Sequence, residues 1–261
     1  MNISGLYQKF LTCGSVSTDS REVERNSIFF ALKGDRFDGN RFIKKALANG
    51  AAFAVTDDPN QVADERVILA ENVLETLQEL ASHHRKQLGV PVIAITGTNG
   101  KTTTKELMTA VLSQKFRTGT TKGNLNNHIG VPLTLLSFTR ETELGIVEMG
   151  ANHPGEIGFL CRIADPDYGI VTNVGKAHLE GFGNLEGVIS TKSELYRYLQ
   201  QKEKGVVFVN GDNPLLVKAT QNISRKISYG RSDSFHTRGY PVPSVPYLKV
   251  RIREGTGAYD I

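Results

Sequence analysis

The feature that most constrains this chain is a strand, a glycine loop and a helix in direct succession. Residues 90–95 are mostly apolar and predict a buried parallel strand. Residues 105–115 predict an amphipathic helix, with one apolar face formed by Leu107, Met108, Val111 and Leu112. The residues between them are rich in glycine and threonine, which is typical of a loop that binds phosphate in an α/β protein.

Each residue of this loop has a chemical role if the loop binds a nucleotide. Gly97 and Gly100 would let the backbone approach a phosphate, and the helix N-terminus would offer unpaired N–H groups. Lys101 would reach the β- and γ-phosphates, and the hydroxyl of Thr102 would bind Mg²⁺. The pattern is a shortened one, because Ile95 stands where the usual pattern has a glycine. A glycine-rich turn before a threonine-capped helix remains the alternative.

Length, charge and cysteine content restrict the class of protein. A chain of 261 residues predicts one or two domains, and its net charge of +4 suits an anionic substrate without arguing for nucleic acid. Cys13 and Cys161 lie far apart and indicate reduced thiols. With neither a long apolar segment nor a signal-peptide pattern, we expect a cytoplasmic protein without a transmembrane segment. The basic run 83–86 predicts a solvated helix end.

The order of predicted elements indicates an α/β fold with two domains. Residues 1–88 predict a small N-terminal α/β domain, with strands at 27–32, 52–56 and 67–69 and helices at 41–49 and 72–87. Residues 89–261 predict a central domain in which strands at 116–121, 145–149, 168–173 and 205–210 alternate with helices at 127–136, 155–163 and 185–199. That alternation predicts a mainly parallel sheet.

The carboxyl ends of parallel strands form a common ligand edge, so the loops that begin at Gly97, Glu148, Asn173 and Asn210 should converge. After residue 232 the pattern predicts a turn-rich connector at 240–246 and a hairpin of 247–253 with 257–261. Ile261 falls inside a predicted strand. We therefore expect a chain that is cut within its central domain.

Several polar residues near that edge are candidates for chemistry. Glu148 ends a strand and offers the hard oxygen that Mg²⁺ prefers. His178 is open to two interpretations, a metal ligand or a surface residue. Lys192 alone predicts an exposed helical lysine, and the asparagines at 124–127 exceed what capping the next helix requires, although a capped loop remains possible. Ser20 and Arg21 lie in a segment typical of anion sites.

Together these motifs resemble the ATP-dependent Mur ligases, and within them the MurF type. In the central region the resemblance rests on Gly97-Thr-Asn-Gly-Lys-Thr-Thr-Thr-Lys-Glu106, Gly123-Asn-Leu-Asn-Asn-His-Ile-Gly130, Val147-Glu-Met-Gly150 and Thr172-Asn-Val-Gly-Lys-Ala-His-Leu-Glu180. In the N-terminal region it rests on Asp19-Ser-Arg21, Phe29-Phe-Ala-Leu32 and Asp38-Gly-Asn-Arg-Phe42. The asparagine-rich motif points specifically to the MurF type.

The resemblance implies a ligand for each part of the chain. The N-terminal domain would hold UDP-MurNAc-tripeptide, with Ser20, Arg21 and Asn124 as substrate-binding residues. ATP would be held by Gly97, Thr98, Asn99, Gly100, Lys101, Thr102 and Thr103, with Asn210 on the adenine side. Two Mg²⁺ ions would be held by Thr102, Glu148, His178 and a carbamate formed on Lys192. The catalytic residues would be Lys101, His178, Lys192, Asn126 and Asn127.

The implied reaction phosphorylates the terminal carboxylate of the tripeptide, after which the amine of D-Ala-D-Ala attacks the acyl phosphate. In the family a third, C-terminal Rossmann-like domain closes over the nucleotide and binds the dipeptide, and this sequence has no counterpart of it. We therefore expect a monomeric fragment that is not competent alone. A ligase that adds a single amino acid, and a nucleotide-binding module without catalysis, are the alternatives.

Overall fold

The computed structural model describes residues 2–35, 37–175, 182–247, 249–254 and 257–261. Two compact units make up the chain. The first consists of Met1–Val90, Lys115–Gly145 and Arg162–Asp165, and the second of Pro91–Gln114, Ile146–Cys161 and Pro166–Ile261. The predicted α/β class with parallel sheets is confirmed. The predicted boundary between residues 88 and 89 stays a prediction, because the first unit also draws on two later segments.

The first unit is built on a four-stranded parallel sheet. Its strands lie in the order β1-β2-β5-β6, where β1 is Ser15–Ser17, β2 Ser27–Phe30, β5 Phe53–Thr56 and β6 Val67–Leu69. The short strands β3 (Lys33–Gly34) and β4 (Phe37–Asp38) pair separately. The other elements of this unit are helices α1 (Ile3–Thr12), α2 (Ile43–Ala48), α3 (Val73–Leu88) and α5 (Gly130–Leu136), strand β8 (Thr118–Thr120), and the 3-10 turns Gly39–Phe42 and Pro59–Gln61.

Helix α3 follows the sequence signals at both ends. The side chain of Asn72 caps it by accepting from Leu74 N and Glu75 N at 2.9 and 3.1 Å, and Gly89 ends it in the left-handed conformation with φ +64°. Helix α1 was not predicted, although Leu6, Tyr7 and Phe10 are buried at helical spacing. That spacing was the signal available in the sequence.

The expectation of a solvated basic helix end on α3 is wrong for two of its four residues. His84 and Arg85 are only 4% and 5% exposed. The buried face of the helix runs through Leu77 and Leu80, and residue 84 continues it by helical spacing. His84 Nε2 lies 2.9 Å from Phe138 O, while Arg85 donates to Ala164 O at 3.2 Å and Asp165 O at 3.1 Å.

The second unit contains the longer sheet. Its strands lie in the order β15-β14-β13-β12-β11-β10-β7-β9. The pairs from β7 through β10, β11 and β12 to β13 are parallel, and those from β13 to β15 are antiparallel. These strands are β7 (Val92–Thr96), β9 (Leu144–Glu148), β10 (Tyr168–Val171), β11 (Val206–Asn210), β12 (Lys226–Gly230), β13 (Thr237–Val242), β14 (Lys249–Glu254) and β15 (Gly257–Asp260). The helices that follow the glycine loop are α4 (Lys101–Leu112), α6 (Glu156–Ala164), α7 (Leu185–Lys192), α8 (Glu194–Gln201) and α9 (Pro214–Ala219).

The parallel strands and the terminal hairpin of β14 and β15 confirm the sequence expectations. Three other expectations from the sequence are wrong in part. The helix expected over 185–199 is two helices separated at Ser193, and part of the connector at 240–246 forms the end of β13. Strand β12 and helix α9 were not predicted. Within the described residues, no helix combines the length and the apolar character needed to cross a lipid bilayer.

The third correction concerns helix α4, which begins at Lys101 and not at residue 105. Only part of its expected apolar face is covered: Leu107 and Val111 are 63% and 68% exposed, Met108 and Leu112 are half-buried, and Lys105 is 1% exposed. Because residues i and i+4 share a helix face, turning Lys101 toward the glycine loop also turns Lys105 inward. Leu107 and Val111 then lie on the opposite side. The phase of the helix is thus set by the loop.

Candidate functional site

The glycine loop between β7 and α4 adopts a conformation that requires glycine at two positions. Gly97 has φ +145°, and a Cβ atom there would lie 2.0 Å from Thr172 Oγ1. Gly100 precedes α4 with φ +76°, in the left-handed region. The N-cap residue of α4 is Gly100 itself, which has no side chain that could cap the first turn. The amides at this helix N-terminus are therefore available to an anion, as a phosphate loop requires.

The loop is fixed by the segment that follows β10. Thr98 N donates to Asn173 O at 3.0 Å, and Asn99 N donates to Asn173 Oδ1 at 3.0 Å. Thr172 Oγ1 in turn donates to Asn99 O at 2.6 Å. These bonds join the loop to the segment that follows β10. The sequence placed Asn173 at the ligand edge, but the part played by Thr172 was not predicted.

Lys101 folds back over the loop that precedes it. Its Nζ donates to Gly97 O at 2.9 Å and to Thr98 O at 3.2 Å. Burial lowers the pKa of the Lys101 amino group, and the charge of Glu148 opposes that shift. Thr102 and Thr103 are exposed in the first turn of α4. Lys101 is thus a half-buried cation directly beside the available amides.

Glu148 lies at the end of β9 and is 1% exposed. The next residue, Met149, is fixed to β7 by two hydrogen bonds: Met149 N donates to Ile95 O at 2.8 Å, and Thr96 Oγ1 donates to Met149 O at 2.8 Å. The loops that begin at Gly97, Glu148 and Asn173 therefore converge, as expected. Buried carboxylate oxygen is the ligand type that fits Mg²⁺.

Lys192 is not the exposed helical lysine that its position alone predicted. It is 3% exposed, its Nζ donates to Ala151 O at 3.4 Å, and it lies 5.3 Å from the centre of the Phe182 ring. Burial, and to a lesser extent the positive charge of Lys101, lowers the pKa of Lys192 to about 8. Lys101 thus lies within electrostatic range of both Glu148 and Lys192, and the carboxylates of Glu156 and Glu194 also act on Lys192.

Two other predicted residues of this site have a different status. Asn210 ends β11, which is separated from β7 by β10 in the sheet, and its Oδ1 accepts from Asp212 N at 3.0 Å. His178 lies outside the described residues. Among the residues described, no group of three or more His, Cys, Asp or Glu side chains is arranged to hold a metal ion. The predicted set of Thr102, Glu148, His178 and Lys192 therefore stays a prediction.

The candidate substrate residues Ser20 and Arg21 belong to the first unit. Ser20 is buried, and its carbonyl oxygen accepts from Asn49 Nδ2 at 3.0 Å. The exposed Arg21 guanidinium donates to both carboxylate oxygens of Asp19, and these side-chain hydrogen bonds lower the pKa of Asp19 to about 2. Ser17, Thr18 and Asp19 also line a cavity of about 760 Å³ in this unit. The sequence did not predict that cavity.

The asparagine cluster also belongs to the first unit. Asn127 Oδ1 accepts from Ile129 N and Gly130 N at 3.1 and 2.8 Å, so this side chain caps helix α5. Asn124 is exposed, and its carbonyl oxygen accepts from Asn126 N at 2.7 Å. Capping therefore accounts for the local geometry of Asn127. The predicted roles of Asn124, Asn126 and Asn127 toward a substrate stay predictions.

Comparison with known proteins identifies relatives along the whole chain. The description "Mur ligase middle domain" matches residues 95–240, and "Mur ligase family, catalytic domain" matches residues 13–96. The UDP-N-acetylmuramoyl-tripeptide--D-alanyl-D-alanine ligase of Bacillus subtilis (strain 168) is 44% identical over 206 residues, which are 78% of this chain and 45% of that protein.

Solved structures agree in fold. A crystal structure of MurF from Acinetobacter baumannii has a TM-score of 0.86 at 29% identity and covers 100% of this chain and 59% of its own. The MurF ligase of Thermotoga maritima in complex with ADP has a TM-score of 0.83 at 32% identity, and the match covers 97% of this chain and 58% of that protein. The chain thus spans about half the length of the curated relatives it matches. On the match over residues 95–240, this chain belongs to the Mur ligase family.

Proposed function

We propose that the protein to which this chain belongs is an ATP-dependent peptide ligase of the MurF type. It would join D-Ala-D-Ala to UDP-MurNAc-tripeptide through an acyl phosphate. The observation that carries the proposal is that Lys101, at the glycine loop, lies within electrostatic range of both Glu148 and Lys192, in a chain whose relatives bear that name. The bacterial relatives, and two cysteines that are not joined in a disulfide, support a cytoplasmic location, and a monomer is the simplest state.

The residues present fit a nucleoside triphosphate as substrate. Uncapped amides at the start of α4 would bind phosphate oxygens, and Gly97 and Gly100 leave the backbone accessible. Lys101 would exchange its bonds to Gly97 O and Thr98 O for phosphate oxygens and stabilise the charge that develops during transfer. Thr98, Asn99, Thr102 and Thr103 would line the phosphates, and Asn210 the adenine side.

The donor chemistry also fits Mg²⁺. Glu148 and the Thr102 hydroxyl provide hard oxygen atoms, and His178 would complete the set with Lys192. When bound, two Mg²⁺ ions would neutralise phosphate charge during transfer. Lys192 would contribute as a carbamate, formed when its neutral Nζ attacks CO₂. A nitrogen–carbon bond forms, one C=O bond becomes C–O⁻, and the nitrogen gives its proton to water.

The low pKa of Lys192 favours this reaction, because a larger fraction of the amine is neutral near pH 8 than for an ordinary lysine. On the acceptor side, Asn126 and Asn127 would orient the tripeptide carboxylate. Ser20, Arg21 and Asn124 would hold the UDP-linked part of the substrate. A carboxylate is a poor electrophile, so transfer of the γ-phosphate provides the leaving group that the amine of D-Ala-D-Ala then displaces.

ADP release by the full-length protein tests this proposal. With ATP, Mg²⁺ and UDP-MurNAc-tripeptide, we expect sustained release only when D-Ala-D-Ala is present. Release that depends on a single amino acid instead would reject the MurF assignment in favour of a sister ligase. No release with any acceptor would favour a nucleotide-binding module.

A substitution in the loop separates the two substrate sites. Lys101→Ala should abolish turnover while leaving the affinity for UDP-MurNAc-tripeptide within about twofold of the wild type, because the UDP-binding residues belong to the other unit. Lys204→Ala, which removes an exposed lysine of the same unit, is the matched control. Loss of both turnover and UDP-substrate binding in Lys101→Ala would contradict the proposed division of roles.

A further inference from the structure

Glu194 joins two segments of the second unit through one carboxylate. It begins helix α8, two residues after Lys192, and its side chain reaches the start of helix α6. Its Oε1 accepts from Gly155 N and its Oε2 from Gly158 N, both at 2.8 Å. A carboxylate that bridges two amides at a helix N-terminus makes charge-assisted bonds and interacts favourably with the helix dipole.

The segment that Glu194 fixes is the loop 149–155, which connects Glu148 to helix α6. Its first residue, Met149, is already bonded to β7. Its later part is held by Glu156, which accepts from Asn152 N at 2.6 Å and from His153 N at 3.2 Å. The Ala151 carbonyl, in the middle of this loop, is the group that accepts from Lys192 Nζ. Lys192 thus contacts the loop that follows Glu148 directly.

Lys192 and Glu194 are separated by only Ser193, at the break between α7 and α8. The same short segment therefore supplies the amine that contacts Ala151 and the carboxylate that holds the far end of that loop. We infer that Glu194 is a positioning residue: its bridge to Gly155 and Gly158 keeps the Lys192 amino group in register with the loop following Glu148. The inference rests on the proposed function, in which Lys192 acts as a carbamate.

Three variants test this role in the full-length protein. Glu194→Gln keeps the size of the side chain but replaces one accepting oxygen by a donor, so it cannot accept from both amides. Glu194→Asp keeps the charge but is one methylene shorter. Glu186→Gln makes the same change at an exposed position of α7 and is the matched control.

The first readout needs no ligase activity. Incubation with ¹³C-bicarbonate near pH 8 should give a carbamate signal by NMR that is absent in Lys192→Ala. We expect Glu194→Gln to reduce this signal at least fivefold and to require more bicarbonate for half-saturation. Glu194→Asp should fall between, and Glu186→Gln should match the wild type. A purely structural role would lower thermal stability but leave the bicarbonate dependence unchanged, and that result would overturn the inference.

The second readout is a double-mutant cycle on kcat for ADP release. Substitution of a residue that orients a catalytic group typically lowers activity by about 10- to 100-fold. We expect Glu194→Gln to lower kcat in that range with little effect on the KM for ATP. In a Lys192→Ala background the same substitution should have almost no further effect, because Glu194 acts through Lys192. Additive losses would overturn the inference.

The two readouts distinguish failure of this inference from failure of the proposed function. If the full-length protein is not a ligase, the carbamate signal still decides whether Glu194 positions Lys192. If the protein is a ligase but shows no carbamate signal, the double-mutant cycle decides whether Glu194 acts through Lys192. If neither carbamate nor coupling is found, both the carbamate on Lys192 and the positioning role of Glu194 are rejected.

Discussion

Gly97→Ala is a substitution for which the structure predicts a large local cost. The new Cβ atom would lie 2.0 Å from Thr172 Oγ1, 3.1 Å from Thr172 N and 3.2 Å from Asn173 N. Thr172 is not free to move, because its hydroxyl donates to Asn99 O. Overpacking of this kind costs about 1–3 kcal/mol. The backbone at φ +145° adds strain of about 1–3 kcal/mol for a residue with a side chain.

We therefore expect Gly97→Ala to lower the free energy of unfolding by about 2–6 kcal/mol. The measurement is a urea titration followed by circular dichroism. Gly89→Ala is the matched control, because Gly89 also has a positive φ but a Cβ there has no atom within 4 Å. Its cost should be strain alone, about 1–2 kcal/mol.

A third variant separates the clash from the strain. Thr172→Ala removes the hydroxyl nearest to the new Cβ, so the double variant Gly97→Ala/Thr172→Ala should be more stable than the sum of the single effects predicts. It should not recover fully, because the backbone nitrogens at 3.1 and 3.2 Å remain. If Gly97→Ala costs no more than Gly89→Ala, the close contact between the loop and Thr172 is not present in solution, and the argument for a rigid loop is refuted.

Three further predictions concern buried charged or titratable groups. The pKa of Lys192 is lowered from 10.5 to about 8, so the unfolded chain binds more protons than the folded chain between these two pH values. The free energy of unfolding, relative to that of Lys192→Met, should therefore rise with pH across this window by up to about 3 kcal/mol. Urea titrations at several pH values measure this difference, and a difference that does not change with pH would contradict the burial of this amine. Burial also lowers the pKa of His84, so stability should fall as pH drops below about 6.5, and this pH dependence of the melting temperature should be absent in His84→Gln. Arg85→Ala should lower the free energy of unfolding by about 3 kcal/mol, because the guanidinium donates to Ala164 O and Asp165 O. Lys86→Ala, at the exposed neighbouring position, is the control and should leave the melting temperature unchanged. Equal effects of the two substitutions would show that the bonds of Arg85 contribute nothing to stability.

Local patterns in the sequence were reliable where a structural signal lies within a few residues. The helix expected over 72–87, which is Val73–Leu88 in the structure, and the glycine loop between β7 and α4 were both predicted correctly. The side chains of a parallel strand or a helix are spaced regularly, so their alternation identifies the element before any tertiary contact is known. The resemblance to the Mur ligases depended on such continuous motifs, and the family is confirmed.

Errors occurred where a residue's environment comes from a distant part of the chain. Lys192 looked like a surface lysine, but residues as far away as Ala151 and Lys101 determine its burial and its pKa. The apolar face predicted for helix α4 is only partly right, because Leu107 and Val111 are exposed while Lys105, one turn after the loop residue Lys101, is buried. The cap formed by Glu194 on helix α6 spans 39 residues and has no local signature.

The sequence by itself therefore determined the alternation of strands and helices in most of the chain, the glycine loop between β7 and α4, and the family. These follow from backbone conformation and helical or strand periodicity, which are properties of neighbouring residues. Only the tertiary structure decided which charged groups meet beside the loop. The parallel sheet brings the ends of separate strands to one edge, and burial lowers the pKa of both Lys101 and Lys192 below that of an ordinary lysine.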